Sequence, residues 1–399
     1  MALTDYKVAY DNTYEEVFNK VLVAKSIANM RYEPTLTYGG SVTRMTYDMS
    51  AVRVRTVSRG SASTIDAVTD STEVLTINLE KEAVFFISDG EVKQTGPLNP
   101  GEVIGGQIAI KVATDLDARV LAEVLNAYQT FDEGDLTTLA STGTPITLSS
   151  TTVPQMVTRM PAKLKNVNQV LTGMAFVIDP YMGADLEQYL LGKQFDVVNA
   201  IWKNGYSGAI SMAEVYVSNN LTQTALFTDA GIAAGETITI GGVVFTAAAN
   251  GAAANPGEYS IEGNNTAAIA NLVALINDPG TTVGSTRIAL SAADQAKLAD
   301  TLRLSAVVTT AASALTITTV GSGRVALSDT HASGAFTLTA LHCFYGKKGA
   351  IDLVVQDISS VDMRETSDRR GTNIFSSYLA GIKTFADGAK KFLDVKIAV

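Results

Sequence analysis

Residues 202–221 read WKNGYSGAISMAEVYVSNNL. Gly205 and Gly208 bracket a tight turn. Ile210 to Val217 then alternates imperfectly between apolar and polar residues and closes in Ser218-Asn219-Asn220, so the spacing predicts a turn, one strand and a second turn. Composition changes at once: from Thr222 to Ala340 the chain is rich in Ala, Thr and Gly and holds only 12 charged residues. That break predicts a domain inserted after the strand, with Asn219 and Asn220 at the point of departure and Tyr345 near the point of return.

The insertion, 222–340, carries its own local signals. ETITI and VVFTA alternate on either side of Gly241-Gly242, a two-residue loop suited to a tight hairpin. Ile269, Leu272, Val273 and Ile276 recur at helical spacing before Pro279-Gly280 stops the helix. Ser291 and Asp294 form a capping-box pair opening a short helix to Leu302, and LTITTV and RVALSD read as returning strands. The expectation is a small α+β module with its own core.

Upstream, Tyr14, Phe18, Val21 and Leu22 suggest a short amphipathic helix in an N-terminal arm that Pro34 interrupts. SVTRMTYDM and AVRVRTVSRG read as polar strands. In the second, Val52, Val54 and Thr56 point one way and Arg53, Arg55, Val57 and Arg59 the other, as on a surface hairpin or a loop lapping a neighbour. VLTINLEKEAVFFISDGEV reads as a further strand pair turning at Asp89-Gly90. The strongest helix is predicted over Val103 to Gln129, where Ile108, Val112, Leu116, Val120 and Val124 fall at every fourth position and Leu121, Leu125 and Tyr128 widen the stripe. Its length would be about 40 Å. Its Lys111, Asp115, Arg119 and Glu123 read as a solvated face.

After the polar segment TTLASTGTPITLSSTT, a helix is predicted over Val153 to Leu171, ended or kinked by Pro161. GMAFVI has the length of a buried strand, and Tyr181 to Leu191 reads as a helix. Beyond Leu341 the mixed composition returns, and the chain is expected to close in two strands turning at Ala386-Asp387-Gly388. This order of elements predicts an α+β class.

Composition bounds the function. A chain of 399 residues suggests two or three domains, and 46% apolar residues suffice to bury their cores. No stretch approaches the roughly 18 uninterrupted apolar residues of a membrane span, and the opening MALTDYKVAYDNTYEEVF lacks the basic start and apolar run of a secretory signal. The lone Cys343 excludes an intrachain disulfide framework and fits synthesis in a reducing cytoplasm. A net charge of -10 argues against a general nucleic-acid binder. It is concentrated in residues 1–135, with 20 acids against 12 bases, whereas 341–399 are slightly basic. Unlike surfaces of identical subunits would thereby attract.

Catalytic signals are weak. The two histidines are His331 and His342. His342 adjoins Cys343, which disfavours a nucleophile and base meeting through their side chains, so both histidines read as structural. Gly101, Gly105 and Gly106 do not make a phosphate-binding loop. No Cys/His cluster has metal-ligand spacing. Asp115 and Asp117 flank Leu116 and point apart, a poor carboxylate pair that reads as solvated helix face. The expectation is no enzyme, no metal and no cofactor.

The order of arm, long polar strand loop, FFISDGE strand, the helix KVATDLDARVLAEVLNA, GMAFVIDP with its following helix, and Gly205 to Leu221 resembles a tailed-bacteriophage major capsid protein of the Hong Kong 97 fold. The resemblance covers about 280 residues, leaving out 222–340. It implies an N-arm over 1–35, an E-loop over 36–78, a P-domain over 79–149 and 386–399 with the spine helix at 103–129, and an A-domain over 150–221 and 341–385. It further implies self-assembly into hexamers and pentamers of an icosahedral virion shell enclosing double-stranded DNA without sequence-specific binding. A portal would be a partner, decoration proteins are a further candidate, and a separate scaffolding protein, or none, is implied, since no scaffolding segment precedes the arm. Subunit-contact candidates are Arg53, Arg55 and Arg59 in the loop and Tyr14 and Phe18 in the arm. An encapsulin-type nanocompartment shell is the alternative within the fold. A surface or tail adhesin using the 222–340 module is the alternative from another class, and a small hydrolase a third.

Overall fold

The structure, a computed structural model, describes residues 22–32, 40–48, 52–56, 59–60, 65–66, 68–88, 100–191, 206–210, 212–309, 313–365 and 370–399. The expectations at Tyr14, Phe18, Pro34, Val57, Asp89-Gly90, Trp202 and Gly205 lie outside these residues.

A short helix α1 (Ala24–Ile27) precedes a hairpin of β1 (Ser41–Asp48) and β2 (Thr69–Thr76), followed by β3 (Leu79–Ser88). The long helix α2 (Pro100–Ala122) passes into a 3-10 turn and a short strand β4 (Gln129–Phe131); then come α3 (Thr152–Asn166), β5 (Met174–Ile178) and α4 (Pro180–Leu191). The quoted stretch forms β6 (Tyr206–Ile210) and β7 (Ala213–Val217). The region 222–340 holds β8 (Thr222–Thr228), β9 (Thr237–Ile240), β10 (Val243–Ala248), β11 (Glu258–Ser260), α5 (Asn265–Asn277), α6 (Ala292–Ala296), a π-helical turn, β12 (Ser305–Val308), β13 (Ala314–Thr319), β14 (Leu327–Asp329) and the start of β15 (Ala335–Lys347). The chain ends in β16 (Asp352–Glu365), β17 (Gly371–Lys383), α7 (Ala386–Ala389) and β18 (Phe392–Ala398). The class is mixed α+β.

The chain divides into two units: Met1–Lys20, Ala28–Val112 and Gly349–Ala389 form one; Val21–Ile27, Ala113–Lys348 and Lys390–Val399 the other. In the first, β3, β17 and β16 make a three-stranded antiparallel sheet, and β1 and β2 pair along their whole length from Ser41↔Thr76 to Asp48↔Thr69. Leu75, Val354 and Phe385 pack together with Tyr32, Val42 and Ile77, anchoring the foot of the hairpin. Arg44 adds an ion pair to Asp387 at 2.7 Å and stands over the Phe385 ring. β2 and β3 are therefore not partners, contrary to the sequence reading: each takes a distant strand, a long-range choice that alternation alone does not encode. Residues 52–56, expected as a strand, lie exposed with no ladder partner among the described residues.

In the second unit the central sheet runs β12-β13-β8-β15-β5-β7-β6, with β18 and β4 attached through β15. β5 is buried at every position, as a parallel partner of β7 with β15 on its other side should be. β15 changes partner along one edge: Thr222 of β8 pairs with His342, and Val177 of β5 pairs with Phe344. The region 222–340 thus has a core of its own, around Phe227, Phe245, Tyr259, Ile269 and Leu272, yet its first strand continues the central sheet.

Several local readings shift. The predicted single strand 210–217 is a hairpin, because Met212 takes a left-handed conformation (φ 67°) and turns β6 back on β7. The long helix stops at Ala122 rather than Gln129, where a 3-10 turn leads Gln129–Phe131 to pair with β18. Tyr128 and Leu125 are accordingly exposed, while Val112, Leu116, Val120 and Val124 are buried. Pro161 neither ends nor breaks α3, which runs on to Asn166; the face carrying Val153, Met156, Met160 and Leu164 holds the helix despite one missing ladder bond. Of RVALSD, Leu327–Asp329 forms strand. The final strands do not pair with each other: Ala386–Ala389 is a helical turn carrying the chain from β17, beside β3, to β18, beside β15. Gly241 and Gly242 do make the expected hairpin, both at positive φ (57° and 84°), a conformation that disfavours a β-carbon.

Candidate functional site

The region where the quoted stretch meets the 222–340 module is built around two aspartates of α2. Asp115 accepts from Arg119 Nε at 2.9 Å and from Arg303 Nε at 2.8 Å, so a base on the module is tied to the helix. Arg303 itself takes a left-handed conformation (φ 44°) just after the π-helical turn, and its Nη1 also reaches the Val320 carbonyl at 3.2 Å. Beside it Gly321, at φ 74°, passes so close to α2 that a β-carbon there would sit 2.1 Å from the Ala118 side chain. The small Ala118 and Gly321 are what let the corner approach the helix.

Asp117 is fully buried and accepts the Val23 and Ala24 N–H groups at 3.0 and 2.7 Å. Burial pushes its carboxyl up to about 6, against the opposing pull of those backbone donors and of Asn220. The reading of Asp115 and Asp117 as solvated helix face is therefore corrected. One anchors the module, and the other anchors residues 23–24. A helix buried on more than one face shows no simple polar side, which is why periodicity missed them.

A second link runs through Arg324, whose Nε donates to the buried Asp179 at 2.8 Å while its guanidinium stands over Tyr181. Asp179 Oδ1 also caps α4 by accepting from Met182 N at 3.0 Å. Gln223 and Val325 exchange two hydrogen bonds, at 3.1 and 2.6 Å. Asn219 and Asn220 lie in the turn between β7 and β8, and a β-carbon on Gly323 would lie 2.5 Å from Asn219 Oδ1. Tyr345 is fully buried in β15, edge-on to Phe176 at 5.6 Å, just past the partner change.

The loop candidates are not gathered into one site. Arg53 and Arg59 are exposed, and the Arg55 guanidinium pairs with Asp66 at 2.5 Å, while Asp66 also accepts the Arg53 N–H at 2.9 Å. Val54 and Ile65 on the same loop are 105% and 92% exposed.

Both histidines sit among carboxylates that the sequence does not place beside them. His342 Nδ1 lies 2.8 Å from both oxygens of Asp394, and its Nε2 lies 2.8 Å from Thr224 Oγ1. The carboxylate fixes the tautomer with hydrogen on Nδ1, leaving Nε2 to accept from the hydroxyl. Hydroxyl, imidazole and carboxylate thus stand in the order of a nucleophilic triad. However, Thr224 is paired with Thr318 on one side and Ala340 on the other, so its backbone is spent in two ladders and does not offer oxyanion donors. The adjacent Cys343 is fully buried, and burial pushes its thiol well up, opposite to a reactive thiolate. His331 Nε2 lies 3.9 Å from Asp229 Oδ2 and 3.9 Å from Glu236 Oε2.

No family model matches this sequence, and no curated protein matches it. Among solved structures the chain is similar to one from Mycobacterium phage Che8, at 13% identity over 93% of this chain and 90% of that one, with a TM-score of 0.44. It is similar to the capsid of cyanophage P-SCSP1u at 11% identity over 90% of this chain and 84% of that one, TM-score 0.45. A virus-like particle from Pyrococcus furiosus is similar at 10% identity over 96% of this chain and 95% of that one, TM-score 0.40. Among the described residues no helix is long and apolar enough to cross a membrane.

Proposed function

We propose that this chain is a major capsid protein of the Hong Kong 97 type, which assembles into pentamers and hexamers of an icosahedral shell around double-stranded DNA. The observation that carries the reading is the β1–β2 hairpin. Its foot is fixed by Leu75, Val42 and the Arg44–Asp387 pair, while its far loop holds Val54 and Ile65 almost wholly in water. Two large apolar side chains held in water on an anchored arm support the reading of a surface that another chain covers. Repetition of such contacts by symmetry makes modest energies per subunit sufficient for a closed particle. Residues 36–78 act as the E-loop, α2 as the spine of the P-domain, and the sheet around β5 as the A-domain carrying the 222–340 module. An acidic subunit suits a container that does not grip its packaged DNA.

Size-exclusion chromatography with negative-stain microscopy tests this. The expected result is megadalton shells, and shells formed in infected cells should hold nuclease-protected DNA released on disruption. Val54→Asp with Ile65→Asp should leave subunit folding intact and abolish shells. Monomers or trimers from the unmodified chain would rule out the reading in favour of an adhesin, and shells around a protein cargo would move it to a nanocompartment.

A further inference from the structure

We propose that Asp229, Glu236 and His331 form a binding site for a divalent transition-metal ion of the zinc class, one that ties together the two sheets of the 222–340 module. The inference is independent of the shell reading. One ligand atom from each residue lies within 4.8 Å of the others, and the imidazole Nε2 stands 3.9 Å from each carboxylate. Closing that triangle by a few tenths of an ångström brings a central ion to the ~2.0–2.2 Å typical of zinc with imidazole nitrogen and carboxylate oxygen. An imidazole with two carboxylates suits zinc-like ions, whereas calcium and magnesium favour oxygen alone.

The burial pattern points the same way. The side chains of His331 and Asp229 are fully shielded from solvent. Both ring nitrogens of His331, Asp229 Oδ2 and the hydroxyl of the buried Tyr259 lack hydrogen-bond partners. Buried polar atoms are nearly always paired, and His331 Nε2 and Asp229 Oδ2, 3.9 Å apart, are orphans that one ion would satisfy together.

The remaining atoms are already held in place as supporting contacts would be. Asp229 Oδ1 accepts from Gly231 N at 2.8 Å and Ser333 Oγ at 2.7 Å, leaving Oδ2 free to ligate. Glu236 accepts from Ala332 N at 3.0 Å and Ala233 N at 2.7 Å. Gly334 keeps the space open, since a β-carbon there would lie 2.9 Å from Asp229 Oδ2 and 2.6 Å from the His331 β-carbon. Glu236 is the partly exposed member and marks the side from which an ion would enter.

Position supplies the role. Asp229 follows β8 of the central sheet, Glu236 precedes β9 of the four-stranded sheet, and His331 lies between β14 of that sheet and β15 of the central one. One ion would therefore staple the ends of four strands across both layers.

The test is to strip the purified full-length chain with a chelator, dialyse it against zinc chloride, remove free metal, and measure zinc by mass spectrometry and thermal melting. One zinc per chain and a raised melting temperature are expected, and cobalt in its place should give a visible ligand-field band. His331→Gln should lose the zinc. Ser333→Ala, which touches only Asp229 Oδ1, should keep the fold and bind zinc about 10–100-fold more weakly. A wild-type chain that retains no zinc, or a Ser333→Ala chain that binds it as tightly as wild type, overturns the proposal.

Discussion

Two Ser/Thr-rich segments, the uncharged 137–152 (TTLASTGTPITLSSTT) and 61–72 (SASTIDAVTDST) with its two aspartates, are held in different ways. The first is fastened inside its own unit. Asp132 collects the N–H groups of Gly134, Thr142 and Gly143 at 3.1, 3.0 and 2.7 Å. The buried Asp135 takes Lys163 Nζ at 2.5 Å, and Ser141 joins the same lysine at 2.8 Å. Ile146 then forms a bridge with Ile397 on β18. Of the second, residues 69–72 pair with β1, while Ile65 stands in water and Asp66 pairs with Arg55. In the first, buried carboxylates accept backbone N–H groups and a buried base completes the cluster. The first is thereby part of the fold along its length, while Ile65 of the second is left in water.

The largest expected effect is in the fastened segment. Lys163→Met leaves Asp135 as a buried charge without its base, and should cost about 3–5 kcal/mol in urea unfolding of the isolated subunit. Adding Asp135→Asn to that variant should recover part of the loss, because the uncompensated charge is gone. A cost below about 1 kcal/mol for the single change would mean that water reaches the pair and that the two segments differ less in how they are held.

Asp117 lies between these extremes, since its carboxylate fastens residues 23–24 but is itself destabilised by burial. Its carboxyl titrates near 6 in the folded chain against 3.8 ordinarily. Between those values the folded chain holds more protons than the unfolded one, so stability is greatest below the lower value and falls as pH rises through the upper. A shift of this size is on the order of 3 kcal/mol across the window. Asp117→Asn should flatten the profile between about pH 4 and 6 while keeping one acceptor for the backbone. Stability curves of the two proteins that remain parallel through that window would show that Asp117 is not the titrating group.

What was legible in the sequence follows the range of the forces involved. Helix α2, the buried strand β5, the Gly241-Gly242 hairpin and the Ser291 cap depend on neighbours a few residues away, and period and turn chemistry expose them. The partner change along β15, the divorce of β2 from β3, and the carboxylates that meet Arg303, Arg324, His331 and His342 are decided by residues distant in the chain. Asp115 and Asp117 were misread for that reason: a charged residue on a helix is taken as solvated until the element that covers it is known. The polar character of the hairpin loop was legible in composition, and the structure adds the exposure of Val54 and Ile65.

The smallest effect should come from the Arg55–Asp66 pair, and its smallness is what the comparison requires. Arg55 is well exposed, so solvent screens the attraction and two flexible side chains must be ordered to gain it. A double-mutant cycle with Arg55→Ala and Asp66→Ala on the isolated subunit should give a coupling of about 0–1 kcal/mol. The loop's conformation should change little in melting temperature, since the hairpin is held at its foot by Leu75 and Val42. The same variants scored for shell formation carry the sharper information. If another subunit covers the loop, the pair loses water and its removal should slow or weaken assembly far more than it affects the lone chain. A coupling above about 2 kcal/mol in the isolated subunit would place the loop against its own chain and remove the distinction between a segment that closes on itself and one that waits for a neighbour.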